Sequence, residues 1–342
     1  MINRLQIIDV LKGIAVLLMI QVHIIELFAT DTIFNSYLGK ILLFVGGPPV
    51  APLFVMIMGY FLAATKKTTA ELIKRGLSIF CLGMVLNIGL NFNLIIKVYK
   101  GLLTNNLLPY IFGIDILQFA GMAIIIIAVF KHILQKNVWL TLISSVILAA
   151  FGNLFLNTIP PNSILKYSSA LLYGSTSWSY FPLLPWLAYP LVGFSFYQLQ
   201  QKYKFAELLL TKTKLHSVLL FICFLLFTSK YAVSISSNLQ AYYHHGLLFF
   251  LWVIMFLSFY IYFINQLNNL IKNNFIVNYF KWLGKHVTLI YVIQWVLIGN
   301  MATQIYKTIS SPIHLLICFF VIIFVSSGLT YFGLLLRAKY KK

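Results

Sequence analysis

Long runs of apolar residues alternate with short polar gaps along the whole chain, and this pattern predicts membrane-spanning helices. A hydrocarbon core about 30 Å thick is crossed by about 20 apolar residues in a helix. Windows of this kind fall at 7–29, 49–65, 76–92, 111–130, 138–157, 181–200, 215–234, 246–265, 286–305 and 313–336. The pattern therefore predicts an all-α integral membrane protein, a bundle of about ten transmembrane helices that forms a single polytopic domain over residues 1–342.

The first apolar run, Arg4 to Phe28, differs from the others because ionisable residues interrupt it. These residues are Asp9, Lys12, His23 and Glu26. A helix turns by about 100° per residue, so all four lie on one stripe of the predicted helix. A charged group inside a bilayer costs about 3 kcal/mol or more, and lipid offers it no hydrogen-bond partner. This polar stripe is therefore predicted to face protein or a water-filled cavity.

The composition agrees with a membrane protein and excludes a soluble globular domain. The chain is 61% hydrophobic and 9% charged, and its mean hydropathy is +0.92. Its net charge of +19 is spread over short gaps between apolar runs, which argues against a basic domain that binds nucleic acid. With the N-terminus placed in the cytoplasm, 18 of the 25 Lys and Arg residues lie in loops on that side, six lie in outer loops and Lys12 lies within a span. This asymmetry predicts that both termini are cytoplasmic in a multi-pass protein of the cell membrane, in contact with membrane lipid.

His23 is the candidate for chemistry inside the membrane. It lies about 21 Å of helix rise beyond Asp9, past the middle of the hydrocarbon core. An imidazole there serves either as a general base or as a nucleophile that carries an acyl group. Glu26, one turn further on, is placed to orient the ring. A structural polar contact between helices is the alternative for both residues.

The outer loops hold aromatic residues at positions suited to receive a substrate. Residues 30–48 end in the sequence GGPP, Gly46 to Pro49, which breaks the helix before the second span. The segment 158–186 is the longest non-helical candidate and includes Trp178 and Trp186. The aromatic rings form either an interfacial belt or platforms that stack on sugar faces.

Other polar residues on the outer side have two interpretations each. Asp115, near the end of the fourth predicted span, either holds an acceptor or pairs with Lys230 in a structural ion pair. His244 and His245 in an outer loop either contact an acceptor or are solvated. The three cysteines show neither a CxxC motif nor a Cys/His cluster, so no disulfide and no metal are predicted.

The segment KGIAVLLMIQVH, from Lys12 to His23, resembles the opening of the transmembrane acyltransferases, which include the acyltransferase-3 proteins. Five later segments are similar, in the same order, to the heparan-alpha-glucosaminide N-acetyltransferase catalytic group of that superfamily. They are PPVAPLFVMIMGYFLA (48–63), KRGLSIFCLGMVLN (74–87), GIDILQFAGM (113–122), FPLLPWLAYPLVGF (181–194) and WLGKHVTLIYVIQW (282–295). The resemblance thus covers most of the chain.

The resemblance implies an enzyme that moves an acetyl group from cytoplasmic acetyl-CoA to a glycan or amino sugar at the outer face. His23 is then the catalytic imidazole, as base or transient acetyl carrier. Arg4, Asp9 and Lys12 lie toward the acetyl-CoA end. Arg75, at the inner face, either neutralises the phosphates of coenzyme A or only sets the membrane topology.

The chain departs from the pattern of these families at particular positions. Lys12 stands where acyltransferase-3 proteins usually have Arg, and lysine keeps the charge but lacks the bidentate fork. Gln294 stands where the family often has His, and we assign it to substrate binding together with Trp178, Trp186 and Asp115. Some members place the catalytic His in the first outer loop, whereas residues 30–48 contain none.

Two other classes of function fit the same polar stripe. A transporter or flippase for a lipid-linked sugar, or a proton-coupled carrier, would use it as a pathway, although the chain shows no repeat of two halves. A scaffold or sensor would use it without chemistry. The sequence leaves four points open: the identity of the acceptor, N- or O-acetylation, an acetyl-histidine or a ternary-complex mechanism, and whether the protein forms a homo-oligomer. The many Lys, Asn and Ile residues fit a bacterial inner or plasma membrane.

Overall fold

The computed structural model describes residues 6–155, 163–174, 176–203, 215–270 and 274–339. Within these ranges the chain forms eighteen helices and no strand. In chain order the helices are α1 (Gln6–Phe28), α2 (Asp31–Phe34), α3 (Tyr37–Gly46), α4 (Ala51–Ala64), α5 (Thr69–Leu90), α6 (Phe92–Tyr99), α7 (Leu108–Phe112), α8 (Ile116–Lys136), α9 (Val138–Ala150), α10 (Ser163–Leu172), α11 (Leu183–Trp186), α12 (Ala188–Tyr203), α13 (Leu215–Ser236), α14 (Leu239–Tyr243), α15 (Leu247–Leu270), α16 (Phe275–Lys285), α17 (Val287–Ile305) and α18 (Pro312–Lys339).

Eight stretches of the described chain are long and apolar enough to cross a bilayer. They are Gln6–Phe28, Tyr37–Ala64, Thr69–Leu90, Ile116–Lys136, Leu219–Ser236, Leu247–Asn268, Val287–Ile305 and Pro312–Lys339. The predicted all-helical chain with apolar spanning helices is therefore confirmed within the described ranges. Two of the predicted windows, 138–157 and 181–200, hold the shorter helices α9 and α12, of 13 and 16 residues. The count of ten spans and the cytoplasmic termini stay predictions.

Two segments that the sequence assigns to outer loops are partly helical. Within residues 30–48, α2 and α3 form, and α3 begins because the Ser36 hydroxyl accepts a hydrogen bond from the Gly39 N–H at 3.1 Å. Within 158–186, α10 and α11 replace part of the predicted non-helical segment, and residues 158–162 and 175 lie outside the described chain. The predicted break at the sequence GGPP is confirmed, since α3 ends and α4 begins on either side of it.

The chain divides into two compact units, and the first combines residues 1–50, 88–105 and 267–342. In this unit α1 packs against α3, α16, α17 and α18. A Cβ atom on Gly13 would lie 2.0 Å from the Phe280 carbonyl oxygen, and one on Gly284 would lie 1.9 Å from that of Asp9. The absence of both Cβ atoms lets the backbones of α1 and α16 approach, as small residues do between membrane helices.

The C-terminal end of α1 is tied to the loop between α17 and α18. The backbone N–H of Thr30 donates to the Ile309 carbonyl at 3.0 Å, and the N–H of Ile309 donates to the Phe28 carbonyl at 2.9 Å. The Lys307 ammonium lies 2.7 Å from the Asp31 carboxylate. These bonds fix the positions of α1 and α17 along each other. His23 lies on α1 and Gln294 lies on α17.

The second unit combines residues 51–87 and 106–266. Here α4 packs along α12, and α12 also contacts α9. The approach of α4 and α12 is again made by glycines, because a Cβ atom on Gly59 would lie 1.9 Å from the Pro190 carbonyl oxygen and one on Gly193 would lie 1.9 Å from that of Met56. Any side chain at either glycine would therefore push the two helices apart.

Gly59→Ala is expected to destabilise the protein, because the new methyl group meets backbone that cannot move aside without shifting α12. An overpacked core costs about 1–3 kcal/mol. The matched control is Gly328→Ala in α18, where an added Cβ atom meets nothing within 4 Å among the described residues. Thermal unfolding in one detergent should give a lower midpoint for Gly59→Ala and an unchanged or higher one for Gly328→Ala. Equal midpoints for Gly59→Ala and the wild type would contradict this packing.

Candidate active site

The imidazole of His23 is held by two consecutive residues of α17. Its Nδ1 atom lies 3.3 Å from the amide oxygen Oε1 of Gln294. Its ring stacks on the Trp295 ring, with centroids 4.0 Å apart and planes inclined by 30°. An amide oxygen only accepts hydrogen bonds, so Nδ1 carries a proton, and in the neutral imidazole Nε2 then keeps its lone pair. His23 therefore presents a basic nitrogen from a membrane-spanning helix.

Two side-chain nitrogen donors of the residues that contact His23 have no acceptor among the described residues. The Gln294 side chain is fully buried, and its amide nitrogen Nε2 makes no hydrogen bond. The Trp295 indole nitrogen Nε1 is likewise buried without a partner. Both donors belong to side chains that hydrogen-bond or stack with the imidazole of His23. The site thus combines a base with two N–H groups that have nothing to donate to in the described chain.

A polar contact between helices fixes α17 close to these residues. The Asn300 amide nitrogen donates to the carbonyl of Gly89 and to that of Val296, each at 2.8 Å. Its amide oxygen accepts from the Asn93 N–H at 2.7 Å. Hydrogen bonds of this kind stabilise membrane helices that have no hydrophobic force between them. Together with the loop that binds the end of α1, they hold Gln294 at a set height along α1.

The other end of the polar stripe is an ion pair. The Lys12 ammonium lies 3.1 Å from the Asp9 carboxylate, one helical turn away. Asp9 is 3% exposed, and the Lys12 side chain is 13% exposed. The structure thus brings together two residues that the sequence assigns to the acetyl-CoA end, whereas Arg4 lies outside the described residues. The pair lies about 16 Å of helix rise from His23.

Glu26 and Gln294 are two further residues that the sequence assigns to the site. Glu26 lies one turn beyond His23 and is partly exposed, and its orienting role stays a prediction. Gln294, which the sequence assigns to substrate binding, accepts the hydrogen bond from Nδ1–H of His23. The separation of 271 residues between the partners explains why sequence reasoning did not pair them.

The remaining sequence-predicted site residues belong to the second unit. Asp115 caps α8, where its carboxylate accepts the Ile116 N–H at 2.7 Å. Trp186 is fully buried, and its indole nitrogen donates to the Tyr243 carbonyl at 2.7 Å. Both side chains therefore have structural contacts. Arg75 is exposed on α5.

Trp178 differs from Trp186 because its ring is partly exposed. It lies against the Tyr167 ring, with centroids 4.9 Å apart, and Tyr167 in turn contacts Phe112. The Trp178 backbone carbonyl accepts the Ile114 N–H at 3.1 Å, which fixes the position of the ring. Of the two tryptophans, Trp178 has the exposed aromatic surface that a sugar platform requires.

His244 and His245, placed by the sequence in an outer loop, are buried between α14 and α15. They are 6% and 3% exposed, so they are not solvated. The Tyr242 carbonyl lies 2.7 Å from Nδ1 of His245, which must therefore carry a proton, and Nε2 accepts from the Tyr189 hydroxyl at 2.7 Å. The two residues form a buried histidine pair, and His245 is neutral.

No three His, Cys, Asp or Glu side chains in the described parts of the chain group as metal ligands. The free cysteines lie on three different helices, α5, α13 and α18. The predictions of no metal and no disulfide stay predictions.

The model of one protein family matches a large part of the chain. Its description is heparan-alpha-glucosaminide N-acetyltransferase, catalytic, and it matches residues 4–233, which are 230 of the 342 residues. The matched region includes the polar stripe and His23, whereas Gln294 and Trp295 lie beyond it. No curated protein and no solved structure matches the chain.

The buried histidine pair makes the stability of the protein depend on pH. Burial lowers the pKa of His244 and of His245 to about 4. A histidine in the unfolded chain has a pKa of about 6.5. Between these values the unfolded state binds more protons, so stability falls as the pH falls. The loss is about 2 kcal/mol at most per histidine between about pH 6.5 and about pH 5.

Thermal unfolding of the wild type and of His245→Gln at neutral and mildly acidic pH measures this effect. The wild-type midpoint should fall on acidification, and that of His245→Gln should fall less. His132→Gln, at an exposed position in α8, is the matched control and should follow the wild type. A His245→Gln protein as acid-sensitive as the wild type would show that this histidine does not carry the effect.

Proposed function

We propose that this chain, which belongs to the heparan-alpha-glucosaminide N-acetyltransferase catalytic family, transfers an acetyl group from cytoplasmic acetyl-CoA to an extracytoplasmic glycan or amino sugar. Membership of that family makes the chain a membrane acetyltransferase. The single observation that supports His23 as its catalytic group is the bond from Nδ1 to Gln294, because it leaves Nε2 as a base inside a spanning helix.

The chemistry requires a group that accepts a proton from the acceptor. An amine or hydroxyl attacks the carbonyl carbon of the thioester and must lose its proton as the new bond forms. Nε2 of His23 takes that proton as a general base and returns it to the sulfur of coenzyme A. Alternatively, Nε2 attacks the thioester itself and carries the acetyl group to the acceptor. Both routes need the Nδ1–H tautomer that Gln294 selects.

The donor end of the site is assigned to the ion pair of the polar stripe. Coenzyme A carries phosphates, which cations attract. The Asp9 carboxylate holds the Lys12 ammonium at one position on α1 and reduces the cost of placing it in the membrane. Arg75, which is exposed on α5, is a second candidate cation.

The acceptor end is assigned to aromatic surface. The apolar face of a sugar ring stacks on aromatic side chains, and the partly exposed ring of Trp178, fixed by Tyr167, suits this role. Trp186 and Asp115 were assigned to the acceptor from sequence, and their burial and capping contacts favour a supporting role for both.

The direct test is acetyl transfer by the purified protein in nanodiscs. With acetyl-CoA labelled in the acetyl group, release of coenzyme A should depend on a mixture of amino sugars. His23→Ala should lower the rate about 100-fold or more, which is the usual contribution of a general base. His314→Ala, at an exposed position of α18, is the matched control and should keep the wild-type rate.

Three outcomes decide between the possibilities. Full transfer by His23→Ala would contradict the role of His23 while leaving the family assignment intact. Absence of acetyl-CoA turnover in the wild type with every acceptor would contradict the proposed function. Label that stays on the denatured wild-type protein, and not on His23→Ala, would identify His23 as an acetyl carrier instead of a base.

A further inference from the structure

We infer that the side chains of Gln294 and Trp295 donate hydrogen bonds to the carbonyl oxygen of the acetyl group during transfer. This inference rests on the proposed function and deepens it. The sequence predicts that Gln294 binds the acceptor, and it indicates no role for Trp295. The two residues adjoin on α17, and both contact the imidazole of His23.

The burial of the two donors is the first support. Gln294 is 0% exposed and its Nε2 atom has no partner among the described residues, and the indole nitrogen of Trp295 is buried and unpartnered in the same way. A buried donor without an acceptor costs about 1–3 kcal/mol. Two such donors, on side chains that both contact one imidazole, mark a place where an oxygen that accepts hydrogen bonds is expected to bind.

The Gln294 amide explains why glutamine suits this position. Its oxygen accepts the hydrogen bond from Nδ1–H of His23 and so fixes the tautomer. Its nitrogen remains available to donate a hydrogen bond. A glutamate would offer oxygens at both positions, and an asparagine would be one methylene group too short. Trp295 combines a ring that stacks on the imidazole with an N–H at the ring edge.

The donors act on the charge that develops in the reaction. As the acceptor nitrogen or oxygen bonds to the carbonyl carbon, the electron pair of the C=O bond moves to the oxygen, and the acceptor proton moves to Nε2 of His23. The Nε2–H of Gln294 and the Nε1–H of Trp295 stabilise this oxyanion. The electron pair on the oxygen then re-forms the C=O bond, and the C–S bond breaks with its electrons on sulfur. His23 protonates the resulting thiolate.

The test removes each N–H and keeps the shape of the side chain. Trp295→Phe keeps an aromatic ring against His23. Gln294→Met keeps the length of the side chain but also removes the oxygen that accepts the hydrogen bond from Nδ1, so for this variant the infrared band described below, and not the rate alone, reports the loss of the donor. Loss of an oxyanion donor should lower kcat about 100- to 1000-fold and leave the KM for acetyl-CoA within about twofold, because the oxyanion exists only in the transition state. The control is Trp252→Phe, which removes an indole N–H that already donates to the Thr228 hydroxyl at 2.9 Å.

A second readout does not depend on turnover. In the ketone analogue of acetyl-CoA, a methylene group replaces sulfur, so it binds without transferring its acetyl group. Donors aimed at its carbonyl should shift the C=O stretching band to lower frequency in infrared difference spectra. Trp295→Phe and Gln294→Met should each remove part of that shift, whereas Trp252→Phe should keep it.

The outcomes separate this inference from the proposed function. If the wild type turns over acetyl-CoA and both variants, Trp295→Phe and Gln294→Met, match it in rate and in the infrared band, the inference alone is overturned. A wild type that never releases coenzyme A would overturn both. Slow variants with an unchanged KM and a weaker band shift, beside a normal Trp252→Phe, would support the donor pair.

Discussion

The hydrogen bond between His23 Nδ1 and Gln294 Oε1 is the interaction on which the proposed chemistry of this protein depends. It joins α1 to α17, and it sets which imidazole nitrogen is basic. Much of the first unit serves to keep these helices at one height: the glycine contacts between α1 and α16, the backbone bonds between the end of α1 and the loop after α17, and the Asn300 contacts. A shift of one turn along either helix would separate the two side chains.

Polar groups within a spanning helix are costly, and the chain reduces that cost in two ways. At one end of α1, Asp9 and Lys12 neutralise each other. Near the other end, Nδ1 of His23 is hydrogen-bonded to Gln294 and its ring is covered by Trp295. A neutral imidazole suits a base that must begin the reaction unprotonated, and the paired charges are held near the side from which acetyl-CoA is proposed to enter. The arrangement is consistent with the acetyltransferase family to which the chain belongs.

The sequence predicts the elements well wherever composition alone decides them. The first span was predicted at 7–29 and lies at Gln6–Phe28, because a dense apolar run has one stable form in a membrane. The partners of His23 were not predicted, because Gln294 is 271 residues away and a tryptophan in an apolar helix resembles any lipid-facing or core residue. The sequence predicts the loop that holds His245 but not its burial, because its partner Tyr189 is 56 residues distant. Local pattern thus finds the spans and the polar stripe, whereas long-range packing decides which side chains meet.

The most direct test of the account is the tautomer of His23, measured by nitrogen-15 NMR on protein labelled in histidine and assigned through the resonance lost in His23→Gln. His23, one of seven histidines, should show a protonated Nδ1 and an unprotonated Nε2, and Gln294→Met should remove that preference. A proton on Nε2 in the wild type would leave no basic nitrogen for the acceptor, and it would contradict the proposed role of His23 as a base.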